Sequence, residues 1–352
     1  MHVSGFGTES RSGSCCPVRV RAPARKDFSQ NRDDRSPMPA TLTHVVAAVL
    51  RDPSGRVLLS QRLPGQHLAG LWEFPGGKIE PDEDAVAALR RELEEELGIE
   101  AGACRPLVSL RHDYPEKKIR LSVFEVHGWR GEVRGREGQA LRWAAPAELE
   151  RLDMPAADRP LLRLLTLDGY YAISPSPAAL GAEAFIEAWQ ACLEAGYRLL
   201  RLRPAPGERV ADQLIDRIDA LSRSHGARWI ASGELARCYG WPAHGLHLDS
   251  RQLMTLDERP LPEESLLIAS CHDLEEIRIA AALGVDLVTL SPVQATSSHP
   301  GAAPLGWADF ERLVGYSPLP VLALGGVGPD DWVRARALGA FGVAGIRAFG
   351  WR

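Results

Sequence analysis

Gly77-Lys78-Ile79-Glu80-Pro81-Asp82-Glu83 and, after seven intervening residues, Arg91-Glu92-Leu93-Glu94-Glu95-Glu96-Leu97-Gly98-Ile99 form the most informative stretch of the chain. Val86, Leu89, Leu93 and Leu97 recur at helical spacing and Gly98 supplies a stop, so a helix is predicted over Asp84–Leu97. On such a helix Glu92, Glu95 and Glu96 stand at i, i+3 and i+4, and their carboxylates share one face. Like charges so placed repel one another unless a cation sits among them. Hard oxygen donors on a rigid element suit Mg²⁺, with Mn²⁺ as a substitute, and substrate phosphates complete the shell. An acidic helix face is ordinarily just solvated. Here the glycine turn, the outlying Glu83 and an arginine placed to pair with an acid favour the metal.

Outward from this helix, short apolar runs predict strands at His44–Arg51, Gly55–Gln61, Leu107–Asp113, Ile119–Gly128 and Gln139–Ala144. One helix among several strands is an α+β pattern. From Gly169 the rhythm changes to eight strand–helix alternations, beginning at Tyr170–Ser174 and ending at Phe341–Ile346, which predicts a closed (β/α)₈ barrel of the TIM type. The expected organisation is a disordered extension over 1–40, an α+β domain over 41–160, a linker over 161–169 and the barrel over 170–352. The segment Met38–Leu167 is expected to hold a self-contained core.

The acidic stretch resembles the Nudix box, Gly-x5-Glu-x7-Arg-Glu-(apolar)-x-Glu-Glu-x-Gly-(apolar), at every defined position. The resemblance implies a Nudix fold, a mixed sheet carrying a loop–helix–loop motif that binds divalent metal and hydrolyses a nucleoside diphosphate linked to another group. It implies that Glu92, Glu95, Glu96 and the Gly76 carbonyl are metal ligands. It further implies that Glu83 pairs with Arg91, holding the loop on the helix, and that Glu92 orients or deprotonates the attacking water.

Within the family the resemblance is to the MutT type. Leu71-Trp72-Glu73-Phe74-Pro75-Gly76-Gly77-Lys78 resembles the segment lining its nucleotide site, Gln61-Arg62 and His67 match its nucleotide-contacting positions, and Gly135-Arg136-Glu137-Gly138-Gln139 with Trp143 resembles the loop supplying a fourth carboxylate, here Glu137. The implied reaction is Mg²⁺-dependent hydrolysis of 8-oxo-dGTP to the monophosphate and pyrophosphate, which cleans the nucleotide pool and avoids mutation during DNA replication. The implied nucleotide contacts are Arg62, His67, Glu73, Phe74, Pro75, Gly76, Lys78 and Asp158. One position departs. The type carries a purine-reading asparagine where Met154-Pro155-Ala156-Ala157-Asp158-Arg159-Pro160 places Asp158. An amide accepts from N7–H of 8-oxoguanine and donates to O6; an ionised carboxylate only accepts, whereas a carboxyl protonated in a dry pocket does both. Another nucleotide as substrate is the alternative, or a bifunctional protein with a thiamine-pathway activity in the barrel. A recognition-only Nudix module is disfavoured by the intact acidic box.

The second half resembles thiamine phosphate synthases and the related thiazole tautomerases. The segments are Gly245-Leu246-His247-Leu248-Asp249, Ser270-Cys271-His272-Asp273, Leu290-Ser291-Pro292-Val293 and Leu324-Gly325-Gly326-Val327. Gly325, Gly326 and Gly345 end the last two strands, where barrels commonly bind phosphate through backbone N–H groups; Thr296 and Ser298 are further candidates for a phosphorylated ligand. The synthase's lysine after the second strand is replaced by Leu202-Arg203-Pro204, its Asn-Asp pair by Ser232-Gly233-Glu234, and a further lysine by His299. These departures remove charges that would neutralise a leaving pyrophosphate.

The composition agrees. The 352 residues are 45% hydrophobic and 25% charged, with 41 Lys+Arg against 46 Asp+Glu and a net charge of −5, a poor balance for gripping nucleic acid by its backbone. No apolar run approaches the roughly 20 residues of a membrane span. Six scattered cysteines with no CxxC pair read as reduced thiols, and no apolar signal segment precedes Met38, so a cytoplasmic location is expected. The expected partner is therefore a small nucleotide, with no membrane or direct nucleic-acid contact.

Overall fold

A computed structural model describes residues 42–296, 301 and 303–351. The expected N-terminal extension, Ser298 and His299 lie outside the described residues. The first domain comprises β1 (Leu42–Leu50), β2 (Val57–Gln61), β3 (Trp72–Glu73), α1 (Ala85–Leu97), β4 (Glu100–Asp113), β5 (Lys118–Arg130), β6 (Leu141–Ala144), α2 (Pro146–Leu149) and α3 (Arg159–Leu164). β1 runs parallel to β5, β5 antiparallel to β4, and β3-β2-β6 form a second, antiparallel sheet. β4 begins seven residues earlier than expected. Its first half, Ala101-Gly102-Ala103-Cys104-Arg105-Pro106, lacks apolar alternation and reads as a loop, yet pairs with the far end of β5 through a bulge at Pro106/Val108.

The barrel strands are β7 (Tyr170–Ile173), β8 (Leu199–Arg201), β9 (Arg228–Ile230), β10 (Gly245–Leu248), β11 (Leu266–Cys271), β12 (Leu287–Leu290), β13 (Val321–Ala323) and β14 (Gly342–Gly345). All paired neighbours are parallel, and a bridge between Ala231 and Leu246 joins β9 to β10, closing the ring. The expected strands are present, β11 with the bounds expected and the others shortened at one or both ends. Period-two alternation explains the layers: Ala172, Leu200, Leu267 and Val343 pack outward against the helices, while Tyr171, Leu199, Ile268 and Ala344 pack inward.

Two faces of the first sheet serve two different cores. Val46, Ala48 and Leu50 of β1 join Leu89, Leu93 and Leu97 of α1 in a cluster confined to the first domain. Ala47 and Val49 face the other way, into a cluster that also holds Leu161, Leu164 and Leu165 and continues into the barrel interior through Tyr171, Leu199, Ile230 and Phe341. The stretch 161–169, expected as a linker, thus starts inside α3 with buried leucines. The self-contained core expected of Met38–Leu167 is corrected by this shared cluster: Ala47, Val49 and the α3 leucines belong to a core that continues into the barrel.

The contact lies on the barrel's N-terminal floor. Ser109 and Arg111 of β4 donate backbone N–H groups to the Gly339 and Ser317 carbonyls at 2.8 and 2.9 Å. The opposite, C-terminal mouth stays open.

Candidate functional site

The loop before α1 is fastened along the edge of β1: the Ala48 and Val46 N–H groups donate to the Pro75 and Gly77 carbonyls, and Ile79 N–H to His44 O, at 2.8–3.0 Å. This register leaves the Gly76 carbonyl out of the ladder. Gly76 has φ +149, and a Cβ there would meet Val46 O at 2.1 Å. Only glycine fits.

α1 is closed at both ends. The Asp84 carboxylate accepts from Val86 and Ala87 N–H at 2.9 and 2.8 Å, and Gly98, at φ 72, donates to Glu94 O. Residues 134–139 cover the helix's last carbonyls. Arg134 N–H donates to Leu97 O, Arg136 N–H to Glu96 O, and Gln139 Nε2 to Glu96 O at 2.9 Å. Gln139 also accepts from Glu137 N–H at 2.9 Å. Gln139 thereby sets the loop that carries Glu137, a role the sequence pattern does not reveal.

Arg91 organises the acidic face. It donates to both Glu83 oxygens at 3.2 and 2.7 Å, to Lys78 O, to Glu92 at 3.0 Å and to Glu95 at 3.2 Å. The Glu83 carboxyl is held below the usual range by this arginine. Glu92 lies against the glycine turn, where a Cβ at Gly77 would stand 2.2 Å from its carboxyl carbon. Burial chiefly, opposed by Arg91 and reinforced by Glu95 and Glu137, raises the Glu92 pKa. Glu96 is the most perturbed: burial, then the charges of Glu92, Glu73 and Glu137, push it up to about 8 against the pull of the Gly76 N–H. That N–H donates to Glu96 at 3.3 Å.

The expected ligands do not form a closed cage. Among the described residues, no three His, Cys, Asp or Glu side chains are grouped as a metal site. The carboxylates are drawn to different sides: Glu92 and Glu95 share Arg91, with Glu95 on the exposed rim, while Glu96 turns inward to the Gly76 N–H. The donor chemistry nevertheless fits a hard divalent cation. The donors are all oxygens, and Glu92, Glu96 and Glu137 are close enough to raise the inner carboxyls' pKa values.

A second cluster sits beside the first. Arg62 pairs with Glu73 across β2 and β3 and donates through Nε to His67 O at 2.5 Å. His67 is exposed, 3.3 Å from Glu116 and edge-on to the Tyr114 ring. Asp158 is buried, 6% exposed, at the start of α3, and its side chain makes no cap hydrogen bond. Burial, then the charge of Glu73, opposed by Arg62, push its carboxyl up to about 8. Tyr114 faces the same group, its pKa raised by burial and by Asp158. The fold therefore gathers Arg62, Glu73 and Asp158, adds Tyr114, and leaves Lys78 exposed. Phe74 and Pro75 are buried beneath the loop.

These two clusters can be compared with known proteins. Residues 46–164 match the NUDIX domain family and residues 170–349 the thiamine monophosphate synthase family. The chain belongs to the Nudix hydrolases. Behind its Nudix domain it carries a barrel of the thiamine monophosphate synthase family. It is 42% identical over 121 residues to the CTP pyrophosphohydrolase of Escherichia coli (strain K12), covering 34% of this chain and 89% of that protein. It is also 42% identical over 95 residues to the 8-oxo-dGTP diphosphatase of Proteus vulgaris, covering 27% of this chain and 85% of that one. As a Nudix hydrolase it acts on pyrophosphate linkages.

The barrel of this Nudix protein has its own cleft, about 1090 Å³, at the C-terminal mouth. Gly325, Gly326, Gly345 and Thr296 line it, as do Arg201 and Arg203. Arg201 is buried and donates from Nε to Ser232 Oγ at 3.0 Å. Beneath the mouth, Tyr171 Oη, His247 and Ser270 Oγ form a chain at 3.1 and 2.8 Å. Burial, with Arg201 and Arg203 nearby, holds His247 well below its ordinary pKa, so the imidazole is neutral. Cys104, Cys192, Cys238 and Cys271 are free thiols. Among the described residues no helix is long and apolar enough to cross a membrane.

Proposed function

We propose that the Nudix domain is a Mg²⁺-dependent nucleoside triphosphate pyrophosphohydrolase acting on 8-oxo-dGTP, releasing 8-oxo-dGMP and pyrophosphate. The observation that carries the base preference is the burial of Asp158 beside Glu73. A carboxyl whose pKa is about 8 is mostly protonated at neutral pH. Its C=O accepts from N7–H of 8-oxoguanine while its O–H donates to O6, matching both groups an asparagine amide would serve. Guanine has a lone pair at N7 and offers no such donor.

In this reading Glu92, Glu95, Glu96, Glu137 and the Gly76 carbonyl hold the cation. When bound, the ion supplies Lewis-acid charge at the phosphates. Arg91 and Glu83 keep the loop fixed against α1, which places the Glu92 carboxylate to hold and deprotonate the attacking water. Arg62 and His67, with the buried Phe74 and Pro75 and the exposed Lys78, frame the nucleotide. The test is pyrophosphate release with Mg²⁺ or Mn²⁺ from 8-oxo-dGTP, dGTP and CTP, compared by kcat/KM. Preference for 8-oxo-dGTP over dGTP supports the reading; equal rates would sink it.

CTP is the second reading, favoured by the identity to the CTP pyrophosphohydrolase. Cytosine also presents a donor beside an acceptor, N4–H and N3, to a protonated carboxyl. The same comparison decides between them. For the barrel, the glycines Gly325, Gly326 and Gly345 with Thr296 and Ser298 are proposed to take a phosphorylated ligand. Isothermal titration with thiamine phosphate and with inorganic phosphate tests that assignment.

A further inference from the structure

We propose that the barrel floor is a working part of the nucleotide site and that Arg163 is the positioning residue through which it acts on Asp158. The inference rests on the base-reading role given to Asp158 above.

Asp158 opens α3, and its carbonyl accepts from Leu161 N–H at 3.0 Å. A helix of six residues has little stability of its own and takes its position from what it packs against. On one side Arg51 Nη2 donates to Leu165 O at 2.7 Å, tying the helix end to the residue after β1. On the other, Leu161, Leu164 and Leu165 are buried in the core shared with Leu266, Leu287 and Phe341 of the barrel.

Arg163 fixes the register of that packing. Its Nη1 donates to Glu150 Oε1 at 3.1 Å and to Glu264 O at 3.4 Å, its Nη2 donates to Glu263 O, and its Nε stands 3.8 Å from Asp286 Oδ1. Asp286 is itself held, accepting from Arg259 at 2.9 Å and from Leu267 N–H at 2.7 Å. One planar guanidinium thus spans a first-domain carboxylate and the starts of two barrel strands.

The division of cores makes the consequence specific. α1, with Glu92, Glu95 and Glu96, packs in a cluster drawn wholly from residues of the first domain. Asp158 hangs from the cluster shared with the barrel. Loosening α3 therefore displaces the base-reading carboxyl and leaves the hydrolytic face in place.

The test uses the full chain with Arg163→Ala, Arg163→Lys, Asp158→Ala and the Arg163→Ala/Asp158→Ala pair, measuring kcat and KM for 8-oxo-dGTP and dGTP. Arg163→Ala is expected to lower the selectivity ratio by about 10-fold, through KM, with kcat within about two-fold of wild type. Arg163→Lys, which keeps the charge but cannot span the carbonyls, should fall between; it decides the matter should the alanine variant fail to fold. The double variant should lose little beyond Asp158→Ala, because both act on one group. Amide hydrogen exchange should quicken over residues 158–165 and stay unchanged over 85–97. Wild-type selectivity in the Arg163 variants, with selectivity lost in Asp158→Ala, overturns the positioning role and leaves the base reading standing. Wild-type selectivity in Asp158→Ala overturns the base reading, and this inference with it.

Discussion

Arg336 of the barrel and Glu125 of β5 meet across the domain junction at 3.2 Å, with the arginine side chain only 4% exposed. The same guanidinium donates to Phe341 O at 3.0 Å and to Pro106 O at 3.3 Å, and stacks 4.0 Å above the Trp332 ring. A buried cation with several partners is costly to orphan. Glu125→Ala should destabilise the protein by about 2–3 kcal/mol, below the range for fully buried pairs because Glu125 is partly exposed. Glu125→Gln, which keeps an acceptor, should cost less. Thermal melts check both, and an unchanged Tm in the alanine variant would show that the junction contributes no stability through this pair.

The loop carries a sharper requirement. Gly76→Ala would put a methyl 2.1 Å from Val46 O at a φ of +149, forcing the loop off β1. A stability loss of about 1–3 kcal/mol is expected, with turnover falling further because the Gly76 N–H donates to Glu96 and its carbonyl is a proposed ligand. If the variant melts and turns over like wild type, the loop is not seated as described.

How much of this was legible in the sequence depends on how local the cause was. Glu83, Arg91 and the three glutamates stand at fixed spacings on one loop and helix, so residue pattern alone indicated a hard-cation face. The eight barrel strands were legible for the same reason, period two against period 3.6. β3 was missed because two residues, Trp72 and Glu73, carry no period. The junction was missed because its contacts are remote: Arg336 lies 211 positions from Glu125, and Arg163 reaches Glu263 across 100. Nothing in either arginine's neighbourhood marks it. The buried surroundings of Asp158 were likewise invisible, since its desolvation comes from the packing of separate elements.

On the hydrolytic face, Glu96→Gln replaces a partly buried carboxyl beside Glu92, Glu73 and Glu137 with an amide that cannot ionise to meet a cation. Shape is kept, and a carboxyl that holds its proton up to about pH 8 without metal gives up little charge, so the fold should be unimpaired. Turnover should fall by at least about 10²-fold, as for loss of a positioned electrostatic group. Glu95→Gln, on the exposed rim beside Arg91, should lose activity by a comparable factor if it is a ligand. Steady-state kinetics with Mg²⁺ and melts without it separate the two effects. Wild-type rates in both variants would remove the metal assignment.

Asp158 provides the pH signature. Its folded carboxyl keeps a proton up to about pH 8, whereas the ordinary value is 3.8. Between those limits the folded state binds more protons than the unfolded state, so this group makes stability fall as pH rises through the window. Asp158→Asn has nothing to titrate there. Its Tm should therefore gain on wild type steadily from about pH 4 to about pH 8. Recognition should follow the same proton. Above about pH 8 the carboxylate can still accept from N7–H but no longer donates to O6. Glu73, Arg62 and Tyr114 face it throughout and are common to both proteins. The ratio of kcat/KM for 8-oxo-dGTP, Asp158→Asn over wild type, should consequently rise on crossing that pH, with contributions from the metal-bound step cancelling. Asp158→Ala leaves the base's N–H without an acceptor and should lose roughly 1–3 kcal/mol of discrimination against dGTP at any pH. A ratio flat from pH 6 to pH 9, about one unit or more either side of the crossing, would mean that Asp158 does not read the base through its proton.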